Sequence, residues 1–391
     1  MFLLVKNASI YAPRTMGCFD VLVAGSIIAA ISHHIDASSI PGNVVVVEAD
    51  GSPLVPGFID AHVHVSGGGG EGGYSTRTPE LSISTCFRAG VTTVVGTLGT
   101  DGLSKSMENL VAKTYALREE GLSAWCFTGS YRVPPRTVTG DAMKDIMMID
   151  PVIGIGEVAI SDHRSSLPSL SELGRIASEA RVGGMLSGKA GIVNVHIGDA
   201  PGALGPLEEI TNSGEIPRTQ FLPTHCNRSE STFRSALLWA KGGGYIDLTT
   251  SSVPCFVEEG ELGIAAALKR LRDAGISLDN VSCTSDGQGS LPRFDGNGTF
   301  SGLGLGTSAS LWESLRQAIL VEGFSLEDAL KPVTTTPASI LKLRNKGRIA
   351  VGADADFLIL DPVGYSVRTT IALGKVALEG GVLAMKGRFE D

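Results

Sequence analysis

Four of the chain's seven histidines, His62, His64, His196 and His225, fall at or near the ends of unbroken apolar runs, and Glu157 and Asp286 stand in comparable places. His62-Val63-His64 is an i, i+2 pair, a spacing that on a strand turns both imidazoles to one side. Neutral imidazoles suit zinc, with carboxylates or further histidines completing its shell. One catalytic zinc uses about three protein ligands plus water, so six candidates fit two metals bridged by a carboxylate. In that arrangement the metals lower the pKa of a shared water and polarise a carbonyl, which points to hydrolysis of an amide or ester. His33 and His34, in a strand-and-turn region near the N-terminus, are expected in solvent.

These six residues are far apart in sequence, and few folds would gather them. Eight apolar runs recur, at 54–65, 92–98, 123–128, 152–160, 192–197, 221–225, 245–248 and 281–285. Unbroken runs of this kind are characteristic of buried parallel strands. The segments between them have helical period: Met107, Leu110, Val111 and Leu117 share a face, and Ser169 with Glu172 forms a capping box. Eight strand-helix repeats predict an α/β fold of the (β/α)8 barrel type, whose strand C-termini surround one mouth. On that layout the six residues converge. Short strands at 3–10, 20–24, 27–31 and 44–48, and again at 355–360, 371–378 and 382–386, predict a small β-sandwich domain built from both termini. The expected division assigns 1–53 and 349–391 to that domain and 54–348 to the catalytic barrel.

Composition narrows the partners. Of 391 residues 43% are hydrophobic and 19% charged, enough apolar surface to offset the entropy of ordering. A formal charge of −9 without a Lys/Arg cluster argues against nucleic acid or an anionic membrane. No apolar stretch reaches the ~20 residues of a membrane span, and the Met1-Phe-Leu-Leu-Val start has no basic segment, so a cytoplasmic protein is expected. Six cysteines, Cys18, Cys86, Cys126, Cys226, Cys255 and Cys283, include no C-x-x-C pair and are expected as buried free thiols. Glycine, at 50 residues, clusters in a loop at 67–73, where backbone can approach a ligand closely. The glycine-rich stretch 293–306 is expected to be a long mobile excursion.

With these residues in view, the chain resembles the amidohydrolase superfamily. The likeness lies in Pro56-Gly-Phe-Ile-Asp-Ala-His-Val-His64, the later single histidines, Ser285-Asp286-Gly287 and Gly352-Ala-Asp-Ala-Asp-Phe-Leu. Within it the chain is similar to the isoaspartyl (β-aspartyl) dipeptidases, through Gly67-Gly-Gly-Gly-Glu71, Thr76-Arg-Thr-Pro-Glu, Gly129-Ser-Tyr131, Ser161-Asp-His-Arg164, Leu222-Pro-Thr-His-Cys-Asn-Arg228 and Ser285-Asp-Gly-Gln-Gly-Ser290. The resemblance implies that His62, His64 and Asp286 hold one metal and His196 and His225 the other. Asp286 would take the proton of the attacking hydroxide and pass it to the leaving amine. Glu71 would receive the substrate's α-ammonium. Arg164 and Arg228 would clamp its carboxylates with Ser290 as a further donor, and Tyr131 would donate to the oxyanion. Gly69 and Thr100 are weaker contacts implied by the same likeness.

The departure is at the bridging position, where many members carry a carboxylated lysine and this chain has Glu157. A glutamate is three bonds shorter, a difference of roughly 3 to 4 Å, so the backbone must come closer. The glycines of Gly154-Ile-Gly156-Glu157 are what a β-bulge would use. Two zinc ions per subunit bridged by Glu157 are therefore expected, without lysine carboxylation; a requirement for bicarbonate would point instead to a lysine such as Lys144. The alternatives are an N-acyl amino-acid or amino-sugar deacetylase of the same superfamily, or a non-catalytic scaffold. The resemblance also implies a homo-oligomer, an octamer among the candidates, acting on small dipeptides.

Overall fold

The computed structural model describes residues 2–253, 256–257, 260–295 and 299–390. The chain opens with β1 (Phe2–Tyr11), β2 (Thr15–Ala24), β3 (Ile27–Ser32), β4 (Val44–Glu48) and β5 (Pro53–Pro56). The barrel strands follow: β6 (Phe58–Val63), β7 (Val91–Gly96), β8 (Ser123–Thr128), β9 (Val152–Ile160), β10 (Ile192–Ile197), β11 (Phe221–Thr224), β12 (Ile246–Thr249) and β13 (Val281–Thr284). In seven of the eight every residue is buried, and in β8 only Trp125 is half-buried. This explains why their sequences read as apolar runs without alternation. After them come the hairpin β14 (Ser290–Phe294) with β15 (Phe300–Leu305), and then β16 (Phe357–Leu360), β17 (Val367–Ala372), β18 (Lys375–Glu379) and β19 (Val382–Leu383).

Strands β6 to β11 form one parallel sheet in sequence order, and β12 pairs with β13 in parallel. The Cys226 amide donates to Asp247 O at 3.1 Å, and the His64 amide donates to Gly287 O at 2.9 Å, so both seams between the sheets are bridged and the barrel is closed. Helices α1 (Ile83–Arg88), α2 (Met107–Glu119), α3 (Ala142–Met148), α4 (Leu170–Ser187), α5 (Gly205–Asn212), α6 (Glu230–Lys241), α7 (Ile264–Asp273) and α8 (Ala309–Leu320) follow the eight strands in turn. The α4 start has both halves of the Ser169/Glu172 capping box. Met107, Leu110 and Leu117 of α2 face the core. Among the described residues no helix is long and apolar enough to cross a membrane.

The terminal strands make one nine-stranded sheet in which β5 joins the N-terminal strands to the C-terminal ones, lying between β1 and β16. Here the structure corrects several expectations. The run 54–65 is not one strand: residues 53–56 belong to the terminal sheet and the barrel begins at Phe58. The break falls at Gly57, where a Cβ would collide with Thr92 of the neighbouring strand. The run 371–378 is likewise two strands, because Leu373 (φ 46°) and Gly374 (φ 75°) make a tight two-residue turn between β17 and β18. The strand at 382–386 is only two residues long. In the stretch 293–306, residues 296–298 lie outside the described residues, and the rest belongs largely to the antiparallel pair β14 and β15, with Ser290 paired to Leu305. Cys86, Cys126, Cys226 and Cys283 are free and buried, Cys18 is free but exposed, and Cys255 lies outside the described residues. His33 and His34 are exposed, with His33 stacked on Phe19.

Candidate metal centre and substrate cavity

His62 ends its side of β6, His64 follows that strand, and their rings lie edge to face with centroids 5.6 Å apart. Glu157 reaches the same point from β9. The pairing of β9 with β10 steps from Ile155/Val193 to Val158/Val195, which leaves one extra residue in β9 beside Glu157. Only glycine fits at 156, since a Cβ there would lie 2.8 Å from Asn194 Cβ and 2.9 Å from Asn194 O. His225 and Asp286 sit just past β11 and β13 with φ of 61° and 51°. Such left-handed conformations cost roughly 1 kcal/mol or more in non-glycine residues and persist only where the surroundings enforce them.

The Glu157 carboxylate is the hub. Its Oε2 is 2.9 Å from His196 Nδ1, 3.4 Å from His62 Nε2 and 3.5 Å from His225 Nε2, and its Oε1 is 3.9 Å from His64 Nε2. Asp286 Oδ1 is 3.0 Å from His64 Nε2 and 3.7 Å from His62 Nε2. Two sets of ligand atoms are close enough to share an ion: His62, His64 and Asp286, and His62, Glu157 and His225. His196 belongs to neither set. Its ring lies between Tyr131 Oη, 2.9 Å from Nδ1, and Asp162 Oδ2, 3.0 Å from Nε2.

The donor set fits a divalent metal. His62 Nε2, His64 Nδ1, Glu157 Oε1 and Asp286 Oδ1 are buried without a well-aligned hydrogen bond, and lone pairs left in that state are costly unless a cation meets them. The other ring nitrogens of two histidines are held: His62 Nδ1 lies 3.1 Å from Asn194 Oδ1, and His225 Nδ1 lies 2.6 Å from Thr249 Oγ1. Contacts of that kind orient a metal-ligating imidazole. Burial alone would raise the Glu157 carboxyl, but His62 and His196 overcome it and hold Glu157 well below the carboxylate range. Burial is overcome in the same way at Asp286, which His64 draws down to about 2. At His62 burial is outweighed by Glu157, which lifts the imidazole to about 10, whereas burial together with His196 and Arg228 takes His225 down to about 3.

A cavity of about 620 Å³ opens over this cluster. Gly69, Glu71, Thr100, Tyr131, Arg164, Arg228 and Ser290 all line it, as do His64, His196, His225 and Asp286. Thr100 Oγ1 donates to Glu71 Oε1 at 2.9 Å, and Arg164 Nη1 lies 3.5 Å from the same oxygen. The Arg164 guanidinium is fixed from behind by Asp162, donating from Nε at 2.9 Å and from Nη2 at 2.8 Å. Arg228 approaches from the far side, its Nη1 3.8 Å from Asp162 Oδ2. Desolvation raises the Tyr131 hydroxyl well above its ordinary value, so it keeps its proton at neutral pH.

Residues 194–378 match the amidohydrolase family. Two crystal structures of the β-aspartyl dipeptidase of Fervidobacterium islandicum AW-1 superimpose on the whole chain. One, in complex with a β-Asp-Leu dipeptide, is 46% identical with a TM-score of 0.92 and covers 100% of this chain and 99% of that one. The other is 44% identical with a TM-score of 0.90 and covers 100% of both. The chain belongs to the amidohydrolase family. A more distant relative, adenine deaminase 2 of Shouchella clausii (strain KSM-K16), is 24% identical over 383 residues, 94% of this chain; the chain spans only 57% of that deaminase's length. Amidohydrolases typically bind divalent metals, in keeping with the unpartnered atoms of the cluster.

Several residues of this amidohydrolase site were not found from its sequence. Asp60 accepts from the Ser285 amide at 2.9 Å and so pins the turn that carries Asp286. Its position two before His62, on the same face of the strand, was a legible sign. Asp162, Asn194 and Thr249 hold His196, His62 and His225 respectively, and only the fold reveals those contacts.

Proposed function

We propose that the chain is a metal-dependent dipeptidase that hydrolyses β-aspartyl (isoaspartyl) dipeptides at a pair of zinc ions bridged by Glu157, without a carboxylated lysine. The observation that carries the reading is the pairing of Glu71 with Arg164, 3.5 Å apart above the metal-competent cluster. The aspartyl unit of such a substrate bears an ammonium and a carboxylate on one carbon, and two adjacent groups of opposite charge are its complement. Arg228 is then left for the second carboxylate, that of the leaving residue, with Ser290, Thr100 and Gly69 as further contacts. A divalent pair held by His62, His64, His196, His225, Asp286 and Glu157 would supply Lewis acidity and acidify water at neutral pH. Asp286, ionised and at the edge of the cluster, takes a proton from the attacking water at Oδ and returns it to the leaving nitrogen. Tyr131, protonated and buried, donates its O–H to the oxygen on which charge develops. Lys144 is exposed on α3, which supports Glu157 as the bridge. The reading includes a homo-oligomer in the cytoplasm.

The test is hydrolysis of β-Asp-Leu, α-Asp-Leu and N-acetyl-leucine by zinc-loaded protein. Cleavage of the β-linked peptide alone is expected. Turnover of the acetylated compound alone would move the function to a deacetylase, and no turnover at full metal occupancy would favour a scaffold.

A further inference from the structure

Two carboxylates at the rim of the cavity have no part in the reaction above. Asp199 follows β10 and Glu261 lies between β12 and α7, and both line the cavity on the Arg228 side. Asp199 Oδ1 is 3.9 Å from Arg228 Nε, and its side chain is 74% exposed. Glu261 is half-buried and accepts from Ser252 Oγ at 2.5 Å; among the described residues no cation forms an ion pair with it. Burial pushes its carboxyl above the ordinary value, only partly offset by Ser252 and the charge of Arg228.

Both guanidiniums of the cavity are already matched to substrate groups. Arg164, beside Glu71, takes the aspartyl carboxylate, and Arg228 takes the carboxylate of the leaving residue. The side chain of that residue springs from the carbon that carries the carboxylate, so it emerges next to Arg228. An aliphatic side chain there would strip water from Glu261 without replacing it, and an acidic one would be repelled. A lysine or arginine would pair with the carboxylates while its stem rested on Leu291 or Phe256, which also line the cavity.

We propose that Asp199 and Glu261 select β-aspartyl dipeptides whose C-terminal residue carries a cationic side chain. The inference rests on the dipeptidase reading and on Arg228 holding the leaving residue's carboxylate. It is tested by measuring kcat/KM of the metal-loaded enzyme for β-Asp-Lys, β-Asp-Leu and β-Asp-Glu at low ionic strength. Partly exposed pairs of this kind should give a preference for lysine over leucine of about three- to tenfold, with glutamate poorest. Added salt should compress the order. In the Glu261→Gln/Asp199→Asn double variant the lysine-to-leucine ratio should fall to about one. Because a substitution at Glu261 can disturb its loop, Asp199→Lys, at an exposed position, is the second probe: it should move the preference toward β-Asp-Glu. A wild-type ratio of one or less, or a ratio unchanged in both variants, overturns the proposal while leaving the dipeptidase reading intact. Failure to cleave any β-aspartyl peptide overturns both.

Discussion

Glu157 is fully buried, anionic and within 4 Å of four imidazoles. Replacing it with an isosteric amide keeps the shape and removes the negative charge at the centre of the cluster. Glu157→Gln is therefore expected to lower metal affinity and to reduce kcat by at least about a hundredfold, read by metal analysis beside turnover. Retention of full metal content and activity would sink the bridging role. With a side-chain carboxylate as the bridge, metal-free protein should regain activity at the same rate with or without bicarbonate. The histidines add a pH dependence. His62, lifted to about 10, holds a proton at pH 7 that a metal must displace, and His64 is shifted in the same direction. Zinc uptake should then release protons and strengthen as pH rises from 6 to 9. Calorimetry in two buffers of different ionisation enthalpy checks this; equal apparent heats would refute it.

At the scale of the element, the bulge in β9 decides where Glu157 reaches. Gly156→Ala would drive a methyl into Asn194, whose side chain faces His62 and whose backbone belongs to β10. Overpacking of this kind costs roughly 1 to 3 kcal/mol, so a lower unfolding midpoint with weaker metal binding is expected in denaturant titrations at fixed zinc. The bulge also shows what the sequence could convey. Two glycines just before a glutamate in an apolar run signalled an irregular strand, and the eight runs and their polar ends outlined the barrel and its mouth. What escaped was set by partners distant in sequence. The side of the Gly57 break on which residues 53–56 fall depends on pairing with β1 and β16, and the role of Asp162 depends on His196 arriving from β10. The hairpin at 290–305 was hidden by its glycines, which read equally well as a loop.

For the whole molecule, the barrel interior holds carboxyls that prefer to be neutral. Asp247 accepts from Thr224, Ser282 and Thr284, each at 2.6 Å, yet burial pushes it up to about 6, and burial does the same to Asp60. A folded-state pKa above the unfolded value of 3.8 means that the native state binds the proton more tightly. The stabilisation is therefore complete below about pH 4 and lost as pH rises through 6, on the order of 3 kcal/mol per group. Asp247 and Asp60 should lower the stability of the metal-free protein as pH rises from 4 to 6.5, against the opposite contribution of His225, whose imidazole is held at about 3, and Asp247→Asn should shift the slope in the positive direction; an unchanged slope in thermal unfolding would contradict the assignment. Removing the metal should also lower the midpoint, because only the native state offers the assembled ligands, and restoring zinc should reverse the loss.

Strand β5, which leads through Gly57 into the strand bearing His62, has as sheet neighbours β1 and, some three hundred residues later, β16. During synthesis the N-terminal part of a chain emerges first, and contacts of large sequence separation must wait. The anchor of the first barrel strand is thus incomplete until residue 360 has left the ribosome, and Asp286 is itself a late arrival. A nascent chain presents the early histidines long before the carboxylate that completes their set. A metal site assembled in this order would be filled by the folded chain after translation, and metal supply would then set the yield of metal-loaded protein without pacing its synthesis.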